Sequence, residues 1–150
     1  MRISGFTFIR NADKLSYPIR ESIMSLLPLV DEFVIAVGDN DPGDGTLDLI
    51  NAINSPKIRI INTVWDVLTY PKAQVYAQQT DLARTNCTGD WLFYLQGDEV
   101  LHECVVDGGM HVDALHRAAA LAGVVHGAVG QAFGGGAWVG IGAHVGRVLA

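Results

Sequence analysis

Apolar and polar positions come in alternating blocks over the first two thirds of the chain. Residues 3–9, ISGFTFI, are β-rich and mostly apolar, as expected of a parallel strand covered on both faces. Arg10-Asn11-Ala12-Asp13 breaks the run. Ser16-Tyr17-Pro18 predicts a helix start, with Ser16 or Tyr17 near the cap and Pro18 in the first turn. Ile19, Ile23, Leu26 and Leu27 then recur as one helical stripe. A second strand is expected over residues 33–37 (FVIAV), followed by a loop through Gly38-Asp39-Asn40-Asp41-Pro42-Gly43-Asp44-Gly45. Thr46 can cap a helix running to about Asn54. Ile58, Ile60 and Ile61 mark a third strand. Trp65-Asp66 lies in the next loop, and Pro71-Lys72 is expected to open a helix to about Asn86. Thr88-Gly89-Asp90 reads as a turn with Gly89 at the helix C′ position, leading into a fourth strand at residues 91–95.

This β-α-β-α-β-α-β order with short links predicts an α/β fold: a parallel sheet with right-handed crossovers, flanked by helices. Ligands in such sheets lie at the carboxyl ends of the strands. The polar clusters fall there, with Arg10-Asn11, Asp39, Asp66 and Asp98-Glu99 after successive strands.

Composition supports one folded domain with a core, at 150 residues, 49% hydrophobic and 17% charged. A net charge of −6 argues against general nucleic-acid binding, which needs a basic face. An anionic ligand would then need a metal, a helix N-terminus or backbone amides. Cys87 and Cys104 form no CxxC, which fits a reducing, cytoplasmic setting. The N-terminus leads into a strand-like run without the apolar segment of a signal peptide.

The pattern changes after residue 103. Residues 104–150 hold 11 Gly, 10 Ala and 9 Val, and no Ser, Thr, Asn, Pro, Lys, Glu or Tyr. Three readings compete. Residues 118–146 lack charged side chains over more than a spanning length, so membrane association is one, although Gly density and His126, Gln131 and His144 weigh against it. A Gly-rich element packed on the domain is another. The third, which we favour, is an out-of-frame reading of a GC-rich coding region, since Gly, Ala, Val and Asp codons all begin with G. Ala-rich 114–122 has helical propensity in any case.

Candidate chemistry centres on carboxylates. Asp98 and Glu99 follow the fourth strand, and hard cations such as Mg²⁺ take one or two carboxylates plus substrate phosphates. Alternation along an extended chain means that the two acids need not face one ion, and a solvated turn is the plain alternative. Helix capping accounts for Asp44 and Thr46 but not for Asp39, which could accept hydrogen bonds from a nucleobase or ribose. Asp66, beside Trp65, could flank a base or simply lie in a loop. His102, His111 and His116 lack zinc-site spacing; HExxH is absent.

Taken together, the strand ending in Ile9-Arg10-Asn11, the Asp39…Asp44-Gly45-Thr46 loop, the Thr88-Gly89-Asp90-Trp91 turn and the strand ending in QGDE resemble the nucleotide-sugar-binding half of family 2 glycosyltransferases with a GT-A fold. The resemblance covers residues 1–103 and implies a GT-A-like, Rossmann-like sheet that stops after the fourth strand. It implies transfer of a sugar from a nucleotide-diphospho-sugar, a UDP-sugar above all, to a sugar or lipid acceptor, in the cytoplasm or peripherally at the inner membrane face. Arg10, Asn11, Asp39 and Asp66 would contact the donor nucleotide. Asp98 would match the last aspartate of the D-x-D motif, which holds Mg²⁺ or Mn²⁺ on the donor diphosphate, with Glu99 as the extra acid. Gln96 replaces the first aspartate and brings no charge. Thr80-Asp81 stands where many relatives have Arg-Asn. The family's catalytic base lies after D-x-D, where this chain carries the tail; Asp107 and Asp113 are the acids there, and neither is assigned as base.

Overall fold

The computed structural model describes residues 2–101, 138–141 and 143–147. The His-rich segment, Asp107, Asp113 and most of the tail lie outside these residues. Four parallel strands form the centre of the sheet: β1 (Ile3–Ile9), β2 (Glu32–Val37), β3 (Ile58–Asn62) and β4 (Trp91–Tyr94). Three helices connect them: α1 (Ile19–Leu26), α2 (Thr46–Asn51) and α3 (Gln74–Thr85). The four parallel strands match expectation, but the sheet does not stop at β4. Beyond it, β5 (Trp138–Ile141) and β6 (Ala143–Arg147) form an antiparallel hairpin whose β6 pairs with β4, giving the order β3-β2-β1-β4-β6-β5. Residues 138–141 and 143–146, within the stretch considered as a membrane segment, are therefore strand. Among the described residues no helix is long and apolar enough to cross a membrane.

Both faces of the sheet are covered, which explains the near-continuous apolar runs. Ile3, Ile9, Phe33, Ile35, Val37, Phe93 and Leu95 point to one face and pack with Ile19, Ile23 and Leu26 of α1 and Ile50 of α2. Phe6, Val34, Ala36 and Leu92 point to the other and pack with Ala83 of α3. This is the period-two alternation of a strand.

Element boundaries differ from expectation at each helix. In α2, Gly45 and not Thr46 is the N-cap, and the helix ends at Asn51 instead of near Asn54. Pro18 is the N-cap of α1, while Ser16, with φ 55°, lies in the turn before it. α3 starts at Gln74 and not at Pro71-Lys72, because Lys72 has φ 57°, a left-handed backbone that cannot begin a right-handed helix. Gly89 is not the C′ residue, since α3 ends at Thr85 with Asn86 as its C-cap. Gly89 is needed for close approach instead: a Cβ there would lie 2.8 Å from Ser4 N and 2.9 Å from Arg2 O.

The amino ends of the strands are held by carboxylates. Asp31 Oδ2 accepts from Ile3 N at 2.7 Å, and Asp90 Oδ2 from Arg2 N at 2.9 Å. Glu32 Oε1 accepts from the Ser4 hydroxyl at 2.6 Å and from Thr88 Oγ1 at 2.8 Å, and its other oxygen faces Arg59 at 3.6 Å. Burial alone would raise the Glu32 pKa, but the hydrogen bonds from Ser4 and Thr88 and the Arg59 charge bring it below the ordinary value.

Candidate functional site

β1 runs to β2 and on to β3 on one side, and the chain then crosses to place β4 on the other side of β1. The carboxyl ends of β1 and β4 are thus the switch point of the sheet, where connecting loops diverge and leave a crevice. A cleft of ≈ 310 Å³ lies there. The end of β1 supplies Phe8, Ile9, Arg10 and Asn11, and the end of β4 supplies Tyr94, Gln96, Gly97 and Asp98. Leu15 and Tyr17, Trp65, and Tyr76 of α3 complete the lining.

One wall is aromatic. Phe8 stacks near Tyr76 (centroids 5.9 Å, planes 18° apart) and Tyr94 (6.4 Å, 13°). Trp65 meets Tyr76 edge-on at 5.4 Å. The Arg10 guanidinium lies 5.7 Å from the Trp65 ring centroid, a cation–π contact. Trp65 packs so tightly on Gly38 that a Cβ there would be 2.5 Å from Nε1, so a side chain at residue 38 would displace the indole. Trp65 Nε1 is buried without a hydrogen-bond partner among the described residues. Burial pushes the Tyr94 phenol up to about 12; a Thr80 hydrogen bond opposes this, and the Glu99 and Asp98 charges add to it.

The predicted residues divide. Arg10, Asn11, Gln96 and Asp98 meet in the cleft. Asn11, with φ 54°, also clasps the loop after β2: its N–H donates to Asn40 Oδ1 at 2.7 Å, and its Oδ1 accepts from Asp41 N at 2.7 Å. Asp39 stands behind the wall. Its Oδ1 accepts from Trp65 N at 3.0 Å and lies 3.4 Å from Arg10 Nε. Asp66 closes its own turn, accepting from Leu68 N at 3.2 Å and Thr69 N at 2.9 Å, and does not line the cleft. The Thr69 hydrogen bonds lower its pKa. Glu99 folds back onto the chain: Oε2 accepts from Gln96 N at 3.2 Å while Glu99 N donates to Gln96 O at 3.0 Å. The two adjacent acids therefore face different ways.

Of the aromatic wall, the sequence singles out Trp65 alone. Phe8 and Tyr94 read as core strand residues, and only the strand order shows that both end at the crevice. Thr80 and Asp81 serve α3 itself: Thr80 is buried under Tyr94, and Asp81 pairs with Arg84 Nε at 2.9 Å.

Among the described residues, the cleft offers a divalent cation one carboxylate, Asp98, and the neutral amide of Gln96. Among the described residues no cluster of three or more His, Cys, Asp or Glu could hold an ion. This donor set fits a cation shared with a ligand's phosphates, not one bound by protein alone.

No protein-family model matches the sequence, and comparison with curated proteins gives no match. Solved structures do match in fold. The S. aureus TarS 1–349 structure in complex with UDP-GlcNAc aligns with a TM-score of 0.50 over 77% of this chain, at 21% identity. Glucosyl-3-phosphoglycerate synthase from Mycobacterium tuberculosis, in complex with Mn²⁺, UDP and phosphoglyceric acid, aligns over 97% of this chain with a TM-score of 0.51 at 18% identity. The chain spans 32% of the former and 55% of the latter. The likeness shows the fold: a GT-A-like α/β sheet.

Proposed function

We propose that the cleft binds the nucleotide of a nucleotide-diphospho-sugar, a UDP-sugar above all, and that the chain derives from a family 2 glycosyltransferase acting on a sugar or lipid acceptor. The observation that carries this is the convergence at the switch point of an aromatic wall, a cation and a carboxylate. Phe8, Trp65, Tyr76 and Tyr94 offer flat apolar surface to a base. Arg10 and Asn11 offer donors to ribose or phosphate. Asp98, with Gln96 beside it, would hold Mg²⁺ or Mn²⁺ against the diphosphate, and the bound cation would offset the charge of that group. Asp39 acts through Arg10 and Trp65 in this reading, and Glu99 shapes the turn that presents Asp98. Asp66 contributes by closing the turn after Trp65.

A second reading is nucleotide binding without transfer: among the described residues that line the cleft Asp98 is the only carboxylate, and none of them offers a separate general base. The proposal also takes residues 104–150 as out of frame, and a one-base shift near codon 103 of the coding DNA should then open a frame containing Lys and Glu. A cytoplasmic location, peripheral to the membrane if the acceptor is a lipid, belongs to the same reading; the free thiol of Cys87 is compatible with a reducing compartment.

The test is thermal melting with and without UDP, each with Mn²⁺ or EDTA. UDP at about 100 times its Kd adds roughly 2.7 kcal/mol. A shift that requires Mn²⁺ supports Asp98 as a metal ligand. A shift in EDTA supports a metal-independent site. A cooperative melt that UDP never moves refutes uridine-nucleotide binding. Hydrolysis of UDP-sugars then separates enzyme from binding module.

A further inference from the structure

Gln79 sits in the middle of α3 with no exposed surface. A buried primary amide needs partners for its N–H groups and its carbonyl, and this one has them. Nε2 donates to Val64 O at 3.0 Å and to Gln78 Oε1 at 2.7 Å, while Oε1 accepts from the Thr63 hydroxyl. The orientation is fixed, because the Val64 carbonyl can only accept. The next residue, Trp65, is tied from the other side by Asp39 Oδ1 at 3.0 Å. Past Trp65 the chain bonds mainly to itself: Val67 N donates to Trp65 O at 2.9 Å and Tyr70 N to Asp66 O at 2.9 Å. Its apolar side chains give it little anchorage, since Val64 is 67% and Leu68 92% exposed. Two hydrogen-bond tethers, one from α3 and one from the β2 end, thus add to the packing of the Trp65 ring on Phe8 and Tyr76 in holding a strap whose other apolar side chains face water.

We propose that Gln79 is a positioning residue for the cleft: its amide holds the strap of Val64 and Trp65 down so that the indole lies between Gly38 and Arg10 as part of the aromatic wall. Without the amide donor, the Val64 carbonyl can exchange its buried partner for water, and the strap lifts. The effect on ligand binding rests on the nucleotide reading above; the effect on Trp65 does not.

The experiment uses the full chain with Trp91→Phe and Trp138→Phe, so that Trp65 alone reports. Gln79→Met keeps the length and apolar bulk but removes both the donor and acceptor. Its Trp65 emission should shift to the red and become more quenchable by acrylamide, with far-UV circular dichroism retained. Gln79→Glu gives the sharper readout. As a carboxylate it cannot donate to Val64 O; once protonated it can. Its Trp65 signal should be loose at pH 8 and return toward that of Gln79 below about pH 6, within the range open to a buried carboxyl. A general packing defect would not recover in this way. Asp39→Ala, which cuts the other tether outside the core, should loosen Trp65 as well and covers the case in which a Gln79 variant fails to fold. UDP affinity, where the parent chain binds UDP, should fall roughly tenfold in Gln79→Met. Unchanged quenching in folded Gln79→Met, or no pH-dependent recovery in Gln79→Glu, overturns the proposal. Loosening of Trp65 in Gln79→Met, where the parent chain ignores UDP, upholds the strap and refutes only the nucleotide reading.

Discussion

At the scale of single residues, adjacent side chains do opposite things. Asp98 is exposed in the cleft, while Glu99 closes the turn behind it. Asp98→Asn should therefore abolish any Mn²⁺-dependent part of the UDP melting shift, yet change unliganded stability by less than about 0.5 kcal/mol. Glu99→Gln should leave the metal-dependent shift in place. The same contrast separates two glycines. A methyl group at Gly89 meets backbone atoms within 2.9 Å, but at Gly97 its nearest neighbour, at 2.7 Å, is the far end of the Ile9 side chain. Gly89→Ala should cost about 2–3 kcal/mol in urea unfolding, and Gly97→Ala less than about 1 kcal/mol. Neither glycine announces its role in the sequence, because the atoms it must avoid belong to other strands. Of the four predicted residues in the cleft, Arg10, Asn11 and Asp98 were legible from the strand-end rule, and Gln96 only from the family resemblance. The duties of Asp39, Asp66 and Glu99 were not, since each carboxylate is engaged by a backbone N–H whose position depends on the fold.

At the scale of elements, apolar runs reveal the strands because both sheet faces are covered, so burial leaves a mark at every position. Helix starts are less visible. Lys72 adopts a left-handed backbone that its side chain does not advertise, and this delays α3 to Gln74. The strands also depend on charge at their amino ends. Glu32 has a folded pKa below its unfolded one, so its contribution is full above about pH 4.5 and disappears as pH falls through the lowered value. Glu32→Gln should flatten the acid side of the stability profile, and Glu32→Ala should cost roughly 1–3 kcal/mol at pH 7, measured by urea titration at several pH values.

At the scale of the whole molecule, strand order decides where the site lies, and strand order was not in the pattern. Local periodicity says that β4 exists, not that it lies beside β1. The hairpin of β5 and β6 was equally invisible, because its Gly-rich sequence carries no clean alternation. Its β6 covers the edge of β4. A chain ending at residue 137 would bare that edge and should self-associate, seen as larger species in size-exclusion chromatography at unchanged far-UV signal.

The carboxylate fastenings of Asp31, Glu32 and Asp90 sit at the amino ends of the strands, and the cleft at the carboxyl ends of the same strands. The molecule therefore keeps its durability and its selectivity in separate sets of positions. A library randomised at residues 96 and 98 would search ligand choice on a scaffold of nearly constant robustness. Variation at residues 31, 32, 88 and 90 would tune lifetime and leave ligand choice alone.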